Sequence, residues 1–337
     1  MNKVAVVGAT TWGTTLALLF ARNGAEVVLL ARTPTERDVL RGDRQNRRFL
    51  PGYQFPDNLR VSSDPGDALR SVSLVVLAVP ANSLRENTRR VCDFVPNGAV
   101  VLSAAKGLEM DSGKRMSQVL ADELPSSLHS GICALSGPNL ALEIVQGKYT
   151  STVVASKDRE AASLVQRLLM SPTFRVYTSS DIVGVELCGA LKNIIALGAG
   201  MADGMEAGDN GKAAFITRGL AEMTRLGVAC GASPLTFAGL AGLGDLVATC
   251  ASRLSRNRFV GEQIALGRPL KDVLASMQNV AEGVYTTHAA LSMAKRRGVD
   301  MPIAEAIHKV LSEGLDPREA IAGLMVRPPK AEWEDVA

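Results

Sequence analysis

Residues 3–32 read KVAVVGATTWGTTLALLFARNGAEVVLLAR, and this stretch decides the fold. Lys3–Val7 is a short apolar run, as expected of a strand buried on both faces. It ends in GATTWG, Gly8 to Gly13. Thr14–Asn23 then carries an apolar stripe at helical spacing and stops at Gly24. Glu26–Ala31 is a second apolar strand. Strand, glycine turn, helix and strand within about thirty residues form the unit that binds a dinucleotide. A helix N-terminus offers unpaired N–H groups and the positive end of its dipole, which suit a pyrophosphate.

Two positions depart from that pattern. Thr10 stands where the middle glycine of G-x-G-x-x-G lets the backbone approach the pyrophosphate. A β-branched residue there predicts strain and weaker cofactor binding. The second strand ends in Arg32 rather than in an acid that would hold a ribose 2′-hydroxyl. An arginine there suits a 2′-phosphate, and a solvated strand-end cation is the alternative reading.

Working outward, Val72–Pro80, Ala99–Ala105, Ile132–Leu135, Thr152–Ala155 and Phe174–Tyr177 read as further strands. Helical patterns fall between several of them, at Pro65–Arg70, Ser83–Asp93, Gly113–Glu123 and Arg159–Leu169. The alternation predicts an α/β, doubly wound parallel sheet of Rossmann type. Ligands in such sheets gather at the carboxyl ends of the strands. The loops at Gly8, Pro80, Lys106 and Gly137 fall at such ends.

From Asp181 onward the pattern changes. Residues 181–202, 211–228, 233–250, 256–266, 269–276, 283–297 and 302–313 read as helices. The expected organisation is a dinucleotide-binding domain over 1–180 and an all-α domain over 181–337, with a loose tail from about 327. A length of 337 residues favours two domains. Apolar content of 47% and charged content of 21% fit a globular protein. A net charge of +3, with Arg44–Arg48 as the one dense basic run, argues against nucleic acid. The N-terminus shows no signal-peptide pattern. Five cysteines without a short pair spacing read as reduced thiols in a cytoplasmic chain. The three histidines, 129, 288 and 308, lie far apart, so no metal site is expected.

The chemistry concentrates in the helical half. Val185–Met201 is apolar except for Glu186, Lys192 and Asn193, which makes a buried helix and a poor membrane span. A buried lysine loses solvation, and so becomes able to act as a general base. A long stem that carries its amine to the surface is the alternative. With a nucleotide site in the first half, hydride transfer leads, and Lys192 is the candidate acid/base. Lys106, in the loop KGLE, is a second cation, and together they point to an anionic substrate. Asp245, in GLAGLGDLVATC, needs a cationic partner if buried, and Lys192 is the one available. A helix cap is its bland reading. Ser255, Arg256 and Asn257 set a hydroxyl, a guanidinium fork and an amide side by side, as suits a phosphate, and a basic turn on the surface is the alternative reading. Glu282 faces a cofactor or simply begins a helix.

VELCGALKNIIALGAGMADG, GDNGKAAFITRGLAEM, GLAGLGDLVATC and SRNR resemble segments of the bacterial NAD(P)-dependent sn-glycerol-3-phosphate dehydrogenases. So do KGLE, SGPN and FLPGYQFPDNL, and the resemblance runs from the first strand to about residue 325. It implies interconversion of sn-glycerol 3-phosphate and dihydroxyacetone phosphate with NADPH or NADH, supplying phospholipid synthesis, in a homodimer. Lys192 matches the family's proton acceptor. Lys106, Gly137, Asn139, Asp245, Ser255, Arg256 and Asn257 match its substrate positions. Thr11, Trp12, Arg32, Lys106, Ala141, Arg256, Val280 and Glu282 match its cofactor positions, beside Gly8, Thr10 and Gly13 of the turn. Phe49 stands where the family usually has tyrosine. A dehydrogenase acting on a hydroxy acid, and a nucleotide sensor without turnover, are the rival readings.

Overall fold

The computed structural model describes residues 2–277, 280–329, 331 and 332. The chain forms two compact units, Met1–Lys106 with Met116–Ile182, and Gly107–Arg115 with Val183–Ala337.

The first unit is built on one sheet of eight strands, in the order β3-β2-β1-β4-β5-β6-β7-β8. They are β1 (Lys3–Val7), β2 (Glu26–Leu30), β3 (Leu59–Ser62), β4 (Leu74–Leu77), β5 (Val100–Ser103), β6 (Ile132–Ser136), β7 (Thr150–Ser156) and β8 (Phe174–Ser179). The first six are parallel, with Val4 level with Val27 on one side and Leu74 on the other. β7 runs antiparallel to β6, so the sheet is mixed at that side. β8 runs parallel to β7. The winding reverses at β1, which sits between β2 and β4, and a crevice opens at the carboxyl ends of such strands.

The helices of this unit are α1 (Thr11–Arg22), α2 (Pro34–Asp43), α3 (Pro65–Ala68), α4 (Leu84–Val91), α5 (Met116–Glu123), α6 (Ala141–Val145) and α7 (Arg159–Leu169). Helix α1 is apolar because Gly13 through Ala21 are all buried against the sheet. Helix α2 escaped the sequence reading because it buries only Leu40, too little to make a stripe. What starts it is local: Thr33 Oγ1 accepts from Glu36 N, and Pro34 takes the first turn.

The second unit contains α8 (Ile182–Gly204), α9 (Gly208–Ala229), α10 (Pro234–Phe237), α11 (Asp245–Ala251), α12 (Arg256–Ala265), α13 (Leu270–Ala275), α14 (Glu282–Arg297), α15 (Pro302–Glu313) and α16 (Pro317–Met325). Helix α8 is long and apolar enough to cross a membrane, but 94% of its apolar window is packed inside the protein. It is the core helix of its unit. The expected single helix over 233–250 is broken into α10, a π-type turn at Leu240–Gly244, and α11. Helix α16 lies just before the tail and is capped by Asp316, whose carboxylate accepts from Arg318 N.

The division between units differs from the expected one at Gly107–Arg115. Leu108 and Arg115 pair as an antiparallel bridge, so α5 starts at Met116 and not at Gly113. Arg115 forms a buried ion pair with Glu186 of α8, which holds this excursion in the helical unit.

Candidate active site

The nucleotide half of the site is made by backbone. Gly8 has φ +107°, and a Cβ there would lie 2.7 Å from Val79 Cγ1. A Cβ on Gly13 would fall 2.0 Å from the Gly8 carbonyl oxygen, so only glycine lets α1 start this close to β1. Thr10 corrects an expectation. Its φ is −78° and its ψ 174°, ordinary extended backbone, so the turn stores no strain there. Its hydroxyl accepts from Gly13 N at 3.0 Å and donates to Ala78 O at 2.8 Å. It is the N-cap of α1, and its proton is already committed to the protein. The first-turn N–H groups of Thr11 and Trp12 follow it at the start of α1. The Trp12 indole Nε1 is buried and has no hydrogen-bond partner among the described residues. Arg32 is exposed, at the end of β2, with its backbone N–H held by Glu36 at 2.7 Å.

Asn46 went unnoticed in the sequence. It is buried, and its amide donates to Ala9 O at 2.9 Å and Thr14 Oγ1 at 2.8 Å, locking the turn from the segment after α2. Next to it, Phe49 lies under the Arg48 guanidinium, 4.8 Å from the ring centre.

At the carboxyl ends of β5 and β6, Lys106 Nζ donates to Gly137 O at 2.7 Å. Asn139 Nδ2 donates to Thr152 Oγ1 at 3.0 Å, and Thr152 Oγ1 donates to Ser136 O at 2.9 Å. Asn139 Oδ1 and the hydroxyls of Ser103 and Ser136 are buried without hydrogen-bond partners among the described residues. Ala141 begins α6 immediately beyond.

In the helical unit the Lys192 side chain is 7% exposed, so the amine does not reach the surface. It donates to Asp245 Oδ1 in a buried ion pair and to Thr249 Oγ1 at 2.7 Å. Thr249 is one turn beyond Asp245 on α11, and its hydroxyl donates to Asp245 O at 2.6 Å. The break of the helix at Leu240–Gly244 sets Asp245 at the start of α11, facing α8. Asp245 is thus a charge partner rather than a cap.

Ser255 caps α12 by accepting from Arg258 N at 3.2 Å. Arg256 follows with its side chain toward solvent, and no hydrogen bond to its guanidinium is seen among the described residues. Arg258 turns inward to Asp203 at 2.6 Å. The Asn257 amide is used within the protein: it donates to Asn193 Oδ1 at 2.9 Å and accepts from Gly283 N at 2.9 Å. That bond ties α12 to α8 and to the start of α14, beside Val280 and Glu282. Asn193 and Thr249 are site residues that the sequence reading did not pick out. Both were visible only as polar residues inside apolar helices.

The histidines stay outside this chemistry. His129 bonds Leu124 O at 3.0 Å, and the rings of His288 and His308 lie tilted to one another with their centres 6.1 Å apart.

The chain matches known proteins along both of its parts. The family model for the N-terminus of NAD-dependent glycerol-3-phosphate dehydrogenase matches residues 3–162, and that for its C-terminus residues 181–322. A glycerol-3-phosphate dehydrogenase [NAD(P)+] of Chlorobium limicola is 50% identical, over 98% of this chain and 99% of its own. One from Desulfitobacterium hafniense is 49% identical over 100% and 95%. The crystal structure of glycerol-3-phosphate dehydrogenase from Coxiella burnetii has a TM-score of 0.91 at 35% identity, covering 97% of this chain and 99% of that one. With its N-terminal and C-terminal parts both matched, and relatives about half identical over nearly their full length, the chain belongs to the NAD-dependent glycerol-3-phosphate dehydrogenase family.

Proposed function

We propose that the chain interconverts sn-glycerol 3-phosphate and dihydroxyacetone phosphate, with Lys192 as the acid/base. The observation that carries this reading is the buried Lys192 amine held between Asp245 and Thr249. The residues at the glycine turn fit a nicotinamide dinucleotide: a Cβ would fill the cradle at Gly13, and Trp12 Nε1 is a buried donor awaiting an acceptor. When bound, the nicotinamide accepts or supplies the hydride at the substrate's second carbon. In the oxidative direction Lys192 Nζ takes the proton of the secondary hydroxyl as that hydride leaves. Asp245 stabilises the ammonium so formed, and Thr249 fixes the direction of the amine. Reduction runs the same path backwards, the ammonium returning its proton to the new alkoxide oxygen.

Arg256, with the Ser255 hydroxyl and the first N–H groups of α12, suits the substrate phosphate. Lys106 adds a second cation near Gly137 and Asn139. Arg32 suits the 2′-phosphate of NADPH. Thr11, Ala141, Val280 and Glu282 complete the expected cofactor contacts. A homodimer in the cytoplasm follows from the family resemblance, and the five free thiols fit a reducing compartment.

The test is loss of nicotinamide absorbance on adding dihydroxyacetone phosphate, with NADH and NADPH in parallel. Turnover with both, faster with NADPH, is the expected result. Absence of turnover, or a preference for a 2-keto acid, overturns the reading. Light scattering on the purified chain tests the dimer.

A further inference from the structure

The amide of Asn139 has one orientation, and Thr152 decides it. A hydroxyl has one proton to give. Thr152 is fully buried, and the carbonyl of Ser136, which can only accept, takes that proton at 2.9 Å. Toward Asn139 the Thr152 oxygen is then an acceptor only, so the amide must turn its nitrogen to it, at 3.0 Å. The amide oxygen therefore points the other way. There it is buried and has no partner. An acceptor buried in this way is destabilising unless something satisfies it.

We propose that Thr152 is a positioning residue, which aims the Asn139 oxygen at the ligand so that it accepts the hydrogen bond of the substrate's free hydroxymethyl group. This rests on the reading of Asn139 as a substrate residue. Both substrates carry that hydroxyl, whichever way the reaction runs. An amide turned the other way would set its NH2 group against the hydroxyl, and the acceptor would be lost. The pair thus selects substrates that carry a donor at this carbon. Neither residue need touch the reacting atoms for this.

The experiment compares dihydroxyacetone phosphate with hydroxyacetone phosphate, the analogue that lacks the hydroxyl. Thr152→Val keeps the shape and removes the hydroxyl, which frees the amide. The expected result is a roughly tenfold loss in discrimination between the two substrates, carried in KM for dihydroxyacetone phosphate, with KM for NADPH unchanged. Thr152→Ser keeps the hydroxyl and retains discrimination. Asn139→Ala loses the same discrimination, and adding Thr152→Val to it loses nothing more. Should Thr152→Val fail to fold, Thr152→Ala carries the same comparison. Full discrimination in Thr152→Val, with loss in Asn139→Ala, overturns the positioning role and leaves Asn139 at the substrate. Full discrimination in Asn139→Ala overturns the substrate reading of Asn139 itself. A rise in KM for NADPH in place of that for substrate means that the amide oxygen serves the cofactor, and the proposal fails.

Discussion

The turn at Gly8–Gly13 in the sheet unit and the cluster at Lys192 in the helical unit are built from different materials. The turn works with backbone. Its contribution is a close approach, allowed where a Cβ on Gly13 would lie 2.0 Å from a carbonyl oxygen. The cluster works with side chains, brought together from positions 53 and 57 residues apart in the chain. Its contribution is a charged amine held in a buried setting by a carboxylate and a hydroxyl. A backbone site tolerates change in the side chains around it and fails when a glycine is lost. A side-chain site fails at the single group that moves the proton.

That contrast is sharpest at Lys192. Lys192→Ala removes the proposed proton acceptor and leaves the glycine turn intact. Turnover should fall by roughly 10²–10⁴-fold while NADPH affinity, read by fluorescence titration, stays as in the parent protein. A variant with full turnover would move the acid/base elsewhere, and one that no longer binds NADPH would show that the two halves are not separable.

The same contrast decides what the sequence reveals. The turn is legible because its signal is local: strand, glycines and helix follow one another within thirty residues, and spacing alone carries the meaning. Lys192 and Asp245 were legible as odd charges in apolar surroundings, and burial made each need the other. Thr249 and Asn46 were not legible. A threonine in a helix and an asparagine in a loop are ordinary residues, and what makes them matter is the partner that folding supplies. Helix α2 was missed for the opposite reason: with Leu40 alone buried, it has no stripe, and its cap was the only signal. The excursion Gly107–Arg115 belongs to the helical unit because of the pairing of Arg115 with Glu186, 71 residues apart, which no window of sequence contains.

Buried titratable groups extend the comparison to pH. In the sheet unit, burial pushes the Cys133 thiol up to about 12, beyond any pH at which the protein works. In the helical unit, burial pushes Glu222 up to about 7, although Ile303 N and Ala304 N donate to its carboxylate at 2.9 and 2.8 Å. Arg225 lowers it and Asp300 raises it by smaller amounts. Unfolded, this carboxyl titrates near 4.5, so between 4.5 and 7 the folded protein binds more protons than the unfolded chain. The contribution of Glu222 to stability is therefore full below 4.5 and is lost as pH rises to about 7. Its whole span is on the order of 3 kcal/mol. Urea unfolding at pH 4.5 and 7.5 should show the parent losing stability against Glu222→Gln by about this amount. Parallel curves for the two proteins would mean that the backbone donors hold the carboxyl near its ordinary value.

The smallest expected effect lies at Thr10, where the backbone half borrows a side chain. The sequence pattern predicts strain here and a cofactor held at a distance. With φ at −78° there is no strain to relieve, and the hydroxyl bridges Gly13 N and Ala78 O. Thr10→Ala therefore removes a cap, at a cost of about 1 kcal/mol in urea unfolding. Thr10→Gly removes the same bonds, but a glycine cap costs only a few tenths of a kcal/mol against threonine. Neither change alters the backbone N–H groups of Thr11 and Trp12, so NADPH affinity should stay as in the parent in both variants. The bland result is informative because one alternative remains. If Thr10→Gly binds NADPH tenfold tighter with stability unchanged, the Cβ itself stands against the pyrophosphate. The turn would then depend on its side chains after all, and the line drawn between the two halves would move.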